Sequence, residues 1–391
     1  MRLLLLAGML AQLIPGLWFL DAPKEYRGLT EGSAITFSVP VDKLAAGTYV
    51  QFGVTLENGG PQAPRHYIVE AQEGAEWVRV GEPFTDGRSD YSFVAAKSED
   101  LHPSTYLTVF PLRKPVRDSL RVRCRVCSQY ATDGSTLSAA ADGNTVHLMA
   151  RCYVAGRLNP LGRHLPVAHK SVLLIGNSFT YFYGVPFMLQ EIAWSQGMWL
   201  NISTSLKGGQ TLRQHCGLEL SLRACSSHPY DFAFIQGQSQ EPAQYASDLV
   251  GGRDVKAALC QLCDNIRGVS PDCSIYVEQT WAYPAGDCGG FGSLERFDGL
   301  LAAGAAKLAL AGRAGVSPVG PAFAAVRDGS SGIALLGPDN KHQSAAGSYL
   351  KACVEYLVIS GKPFRGPVPS CGLSDSDAQY LRTIAESIVL K

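Results

Sequence analysis

The residues of this chain whose types and spacing can do chemistry lie far apart in the sequence. The first is Ser178, within Leu174-Ile175-Gly176-Asn177-Ser178-Phe179-Thr180. A continuous apolar run, Val172-Leu173-Leu174-Ile175, leads straight into Gly-Asn-Ser. In parallel sheets, functional groups collect at the carboxyl ends of such strands. By itself the segment favours a blander role, because serine is also a preferred helix cap. The second group is Asp339-Asn340-Lys341-His342, just ahead of an amphipathic stretch. Residues three apart on a helical turn can touch, so Asp339 can accept from one ring nitrogen of His342. That contact fixes the tautomer and stabilises the imidazolium formed when the other nitrogen takes a serine proton. Without such a base a serine hydroxyl is a poor nucleophile at neutral pH. An isolated Asp-x-x-His is also a common surface pair at a helix start. Taken together, the segments supply a nucleophile, a base and an orienting acid for acyl transfer.

The elements that must position these groups change character along the chain. Residues 30–155 read as about eight short strands, at 35–39, 49–56, 66–71, 77–80, 91–96, 106–112, 120–126 and 145–154. They are rich in β-branched and aromatic residues and are separated by Gly, Pro, Asp and Asn. Several alternate, with Val50, Phe52 and Val54 on one face and Gln51, Gly53 and Thr55 on the other. This spacing predicts an all-β sandwich of jelly-roll type. A connector with Pro160 and Pro166 follows. Beyond it, buried-strand candidates at 172–175, 200–205, 232–235, 274–278 and 315–319 alternate with helical stretches at 186–196, 255–267, 293–311 and 345–359. Such alternation predicts an α/β domain with a parallel sheet. The expected division is an export signal at 1–22, a β-sandwich at 23–156, a linker at 157–170 and a catalytic domain at 171–391.

Gly176-Asn177-Ser178 after the first strand of the α/β half, with Asp339-x-x-His342 near its end, resembles the SGNH or GDSL hydrolases. Those enzymes usually read Gly-Asp-Ser in the first block; here it is Gly-Asn-Ser. The resemblance covers roughly residues 170–365. It implies a flavodoxin-like α/β/α sandwich with five parallel strands and a Ser178–His342–Asp339 triad. It also implies a second-block glycine whose N–H faces the oxyanion. Lys207-Gly208-Gly209-Gln210-Thr211 supplies it, with Gly209 the better match, although an ordinary turn glycine is the alternative. The third block departs from the usual Gly-x-Asn-Asp. Gln236-Gly237-Gln238-Ser239-Gln240 is instead similar to the Gln-Gly-Glu-Ser of sialate O-acetylesterases and some carbohydrate acetylesterases. A glutamine amide would then replace the asparagine donor, from either Gln236 or Gln238, unless both merely tie loops. Asn177 and Trp281 are placed at the substrate, with core packing as the other reading for Trp281. An α/β-hydrolase would want Gly-x-Ser-x-Gly in mid-domain, whereas position 180 is Thr.

Composition narrows the function classes. With 34 basic and 34 acidic residues the formal charge is zero, which argues against nucleic acid as a partner. Hydrophobic residues at 46% and charged residues at 17% support packed cores rather than disorder. An apolar stretch from Leu3 to Leu20, behind Met1-Arg2, reads as a secretory signal. Periplasmic or secreted placement is expected, in a bacterium as the resemblance implies, with no stable membrane insertion after cleavage; an N-terminal membrane anchor is the alternative. Of the eleven cysteines, Cys124-x-x-Cys127 and Cys260-x-x-Cys263 have metal-like spacing. They lack accompanying histidine pairs, so small buried hydrophobes are the expected role. The resemblance implies no metal and no organic cofactor. The expected activity is ester hydrolysis, most plausibly of acetyl groups on carbohydrate. A non-catalytic glycan-binding protein and a lipase or thioesterase are the rivals. The N-terminal half is expected either to bind carbohydrate or to serve as a structural partner, with Trp77, Tyr91 and Tyr106 as candidate platform residues.

Overall fold

The computed structural model describes residues 17–58, 60–80, 104–154, 168–249, 252 and 254–391. Two compact units meet in sequence at Val167 and Ala168. The expected strand at 91–96, with Tyr91, and most of the proline connector lie outside the described residues.

The first unit is antiparallel and all-β. Its strands are β1 (Leu17–Arg27), β2 (Ala34–Leu44), β3 (Tyr49–Asn58), β4 (Tyr67–Glu73), β5 (Glu76–Arg79), β6 (Ser104–Pro111), β7 (Val116–Val126) and β8 (Thr145–Val154). They form two four-stranded sheets, β1-β8-β3-β6 and β2-β7-β4-β5. β1 begins inside the stretch read as an export signal and pairs with β8. The two-residue period decides which side chains face inward. Val50, Phe52 and Val54 of β3 and Val122, Cys124 and Val126 of β7 are all buried. Phe37 and Phe52, from different sheets, bring their rings to 5.8 Å. On the other face of β7, Arg123 and Arg125 both donate to Glu70 of β4. Arg123 also lies over the Trp77 ring, 4.3 Å from its centroid.

The second unit is a five-stranded sheet of order β10-β9-β11-β12-β13. Its strands are β9 (Ala168–Gly176), β10 (Met198–Leu206), β11 (Phe232–Ile235), β12 (Ser274–Glu278) and β13 (Gly315–Ser317). The pairs β9–β11, β11–β12 and β12–β13 are parallel. The helices that accompany them include α1 (Ser178–Tyr181), α2 (Val185–Ser195), α3 (Leu212–Gly217), α4 (Glu219–Ser226), α5 (Glu241–Ala246), α6 (Val255–Val269), α7 (Leu294–Gly312), α8 (Val319–Arg327), α9 (Ala345–Ser360) and α10 (Asp375–Val389). No described helix is long and apolar enough to cross a membrane.

The order places β9 between β10 and β11, and Val172, Leu173, Leu174 and Ile175 are all fully buried. A strand covered on both faces needs apolar residues at every position. Leu173 and Ile175 pack with Leu259, Leu262 and Ile266 of α6. That helix buries Val255, Ala258, Leu259, Leu262, Cys263 and Ile266, the stripe a 3.6-residue period demands. The Cys260-x-x-Cys263 spacing is therefore helical packing, with Cys263 inside. All eleven cysteines are free thiols, seven of them buried. Among the described residues no group of three or more His, Cys, Asp or Glu is placed to hold a metal ion.

Candidate active site

β9 ends at Gly176, where the chain must turn sharply. A Cβ at this position would lie 2.6 Å from Thr180 Oγ1 and 2.9 Å from Gln236 Oε1, so only glycine fits. Asn177 then caps α1, its side chain accepting from Phe179 N at 3.1 Å. The capping role that serine might have filled thus falls to its neighbour. Ser178 becomes the first residue of α1, half-buried, and its amide is among those with no partner inside a helix.

His342 reaches this serine from 164 residues away: Ser178 Oγ and His342 Nε2 are 2.9 Å apart. The other ring nitrogen, Nδ1, lies 2.5 Å from Asp339 Oδ2. Asp339 Oδ1 accepts from His342 N at 2.9 Å and Lys341 N at 3.1 Å. Burial opposes ionisation of Asp339, but the ring bond, the His342 charge and these two amides outweigh it. The carboxyl is held well below its usual range. Asp339 and His342 do not lie on a helical turn, as their spacing suggested. They occupy a tight loop closed by Gly337 N donating to His342 O at 2.8 Å, with Asn340 in the left-handed region at φ 53. Asparagine tolerates that conformation. α9 starts only at Ala345, capped by Ser344.

Packing holds the imidazole in place. Phe182 stacks on its face at 4.4 Å, and Phe179 meets it edge-on at 5.3 Å. Gln343, buried next to the histidine, donates to Ser178 O at 3.0 Å. Phe182 and Gln343 were not singled out from sequence, where neither carries a motif.

Trp281 is not a cleft residue. It is 1% exposed and lies between Phe179 and Phe323, each ring 4.2 Å away and nearly parallel. Its Nε1 donates to Lys341 O at 3.1 Å, so it supports the Asp339–His342 loop from beneath. Asn177 is likewise buried, its amide committed to Gln210 O and Gly237 O. Neither presents a free surface to a substrate.

The glutamines divide. Gln236 is 1% exposed, its Oε1 accepting from Asn177 N at 3.1 Å and Thr180 Oγ1 at 3.0 Å. Its amide nitrogen donates to Gly237 O. This side chain lies under the nucleophile turn and faces no oxyanion. Gln238 is half-buried on the loop above, donating to Ser239 Oγ at 3.2 Å. Gly209 is exposed in the turn between Lys207 and Gln210, at φ 68.

No protein-family model and no curated protein matches the chain. Among solved structures it is similar to a DUF4886 family protein from Bacteroides uniformis, at 20% identity over 57% of this chain and 97% of that one, TM-score 0.48. It is also similar to Axe2, an acetylxylan esterase from Geobacillus stearothermophilus, at 16% identity over 51% of this chain and 97% of that one, TM-score 0.38. A carbohydrate esterase family 2 enzyme with a carbohydrate-binding domain, from Corynascus, aligns over 88% of this chain and 98% of its own at 12% identity, TM-score 0.36.

Two buried features sit beneath the site. Lys351 of α9 contacts Glu278, at the end of β12, and lies 3.0 Å from Glu355 one turn along α9. Thr180 Oγ1 is 3.5 Å from Glu278, which links this cluster to the nucleophile turn. His215 is fully buried with Nδ1 2.8 Å from Ser221 Oγ; burial pushes it down to about 4, which keeps it neutral.

Proposed function

We propose that residues 168–391 form a serine esterase of the SGNH type. The observation that carries the reading is the run of contacts from Ser178 Oγ to His342 Nε2 and from His342 Nδ1 to Asp339 Oδ2, at 2.9 and 2.5 Å. In this mechanism His342 takes the Ser178 proton as Oγ attacks the ester carbonyl. Asp339 stabilises the imidazolium across its short bond. The carbonyl oxygen becomes an oxyanion held by the N–H groups of Ser178 and Gly209, with the Gln238 amide as third donor. Collapse expels the alcohol, which takes the proton from His342. Water repeats the sequence on the acyl-enzyme and releases the acid. No metal or organic cofactor enters any step.

For the substrate, we propose acetyl esters on carbohydrate, met in the periplasm or outside a bacterial cell. The acetyl and carbohydrate preference follows from the likeness of Gln236-Gly237-Gln238-Ser239 to carbohydrate-esterase third blocks. Export follows from the apolar Leu3–Leu20 stretch. Cleavage after Ala22 would take Leu17 through Ala22 out of β1.

The test is hydrolysis of a chromogenic acetate ester by wild type and Ser178→Ala. Ser178-dependent release of acetate is expected. Equal rates would leave a glycan-binding protein as the reading. Preference for long acyl chains over acetate would favour a lipase or thioesterase. Acetylated polysaccharides then identify the sugar.

A further inference from the structure

The two loops that carry Gly209 and Gln238 are tied together by side chains of opposite polarity. Asn177 takes their carbonyls: Nδ2 donates to Gln210 O at 3.1 Å and to Gly237 O at 3.0 Å. Glu241 takes their amides. Its carboxylate accepts from Leu212 N at 3.2 and 3.0 Å, one distance to each oxygen, and from Gln238 N at 2.7 Å through Oε2. Both residues are nearly inaccessible, Asn177 at 3% and Glu241 at 4%. The seat has no slack, since a Cβ on Gly237 would lie 2.3 Å from Glu241 Oε2 and 2.8 Å from Leu212 Cγ.

The cap that α3 makes for itself does not reach the Leu212 amide, which among the described residues only Glu241 takes. α3 already has a complete capping box, in which Thr211 accepts from Gln214 N and Gln214 reaches back to Thr211 N. Burial also works against the ionised form, pushing the Glu241 carboxyl up to about 7. What Glu241 adds is the cross-link from the start of α3 to the loop after β11. Those two segments must stand at a fixed separation if donors on both are to meet one oxygen.

We propose that Glu241 is a positioning residue of the oxyanion site, holding the Gly209 loop and the Gln238 loop in register through their backbone amides. The proposal rests on the esterase reading. Misplacing a catalytic group by about 1 Å costs on the order of 10² in rate. Removing the clasp therefore lowers turnover without touching the nucleophile or its base.

The experiment uses the full chain and a chromogenic acetate ester. Active sites are counted by the end point of titration with an organophosphate, so that kcat refers to folded, competent enzyme. Glu241→Ala is expected to lower kcat per titrated site about 10- to 100-fold, with KM changed by less than about threefold. Glu241→Gln can place its amide oxygen where Oε2 stands and accept both Leu212 N and Gln238 N, so it recovers most of kcat. Gly237→Ala keeps the carboxylate but forces the loops apart, and it is expected to follow Glu241→Ala. It carries the test if Glu241→Ala does not fold. A kcat per site within about twofold of wild type in Glu241→Ala and Gly237→Ala overturns the proposal. So does a loss confined to the number of titratable sites, which is what a purely structural role would give. Turnover that survives Ser178→Ala instead sinks the esterase reading, and this proposal with it.

Discussion

Replacing Lys351 by methionine takes a cation away from two carboxyl groups that water does not reach. Lys351, Glu278 and Glu355 are 1%, 2% and 0% exposed. Methionine keeps much of the stem volume, so the change deletes charge without opening a large cavity. Removing one partner from a buried ionic group costs about 3–5 kcal/mol. In a unit of this size each kcal/mol lowers the unfolding midpoint by about 2–4 °C, which gives a fall of about 6–20 °C. Glu355 should behave differently. Burial, opposed by Lys351 and reinforced by Glu278, raises its carboxyl well above 4.5. Glu355→Gln therefore mimics the protonated form and should cost less than Lys351→Met. The sign follows from the raised value. Stability from Glu355 is complete below the unfolded value of 4.5 and is lost as pH climbs toward the folded value. Wild type should weaken relative to Glu355→Gln across that window. Urea unfolding followed by tryptophan fluorescence, from about pH 5 to about pH 8, reads both effects. A Lys351→Met cost under about 1 kcal/mol would refute the argument. So would a Glu355→Gln cost equal to that of Lys351→Met.

Other substitutions probe the site directly. Asp339→Asn places an amide donor against His342 Nδ1 or against two backbone amides; kcat should fall by roughly 10³–10⁴ with the fold intact, checked by steady-state kinetics and circular dichroism. Asn177→Asp turns two donations into a carboxylate facing two carbonyl oxygens. It should cost about 1–3 kcal/mol in urea unfolding and lower kcat as well. Trp281→Ala should cost about 3–5 kcal/mol, yet leave KM for a small soluble acetate nearly unchanged, because the indole packs beneath the site. A KM that rises more than about tenfold, at unchanged stability, would return Trp281 to the substrate cleft.

Much of this architecture was legible before any coordinates. The continuous apolar run at 172–175 announced a strand covered on both faces, and 232–235 and 274–278 match β11 and β12 residue for residue. Ser178, Asp339 and His342 were singled out from their motifs and their order along the chain, and the fold brings the three side chains into contact. What packs around them was not. Lys351 and Glu355, four apart on a helix, carry no motif that marks them as buried. They are interior because α9 is covered on several sides, with twelve of its residues buried. Trp281 was misplaced for a related reason: an aromatic at a strand end suits a cleft or a core equally well, and the stack between Phe179 and Phe323 decides it. α10 went unread although Ser374 caps it and Ala378, Leu381 and Ala385 form its inner stripe. β1 was hidden because its first four residues belong to the apolar stretch that resembles an export signal.

The bond between Ser178 and His342 joins positions 164 residues apart. No local segment can bring these two side chains together, so the contact exists only in the folded unit. His342 reaches Ser178 only when the sheet between them has formed and the loop before α9 has docked. On the esterase reading, return of hydrolysis during refolding would therefore time the joining of those two segments, while tryptophan fluorescence would report burial of the indoles, Trp194 and Trp199 among them. A lag between those two signals would measure how long the chain stays compact but inert.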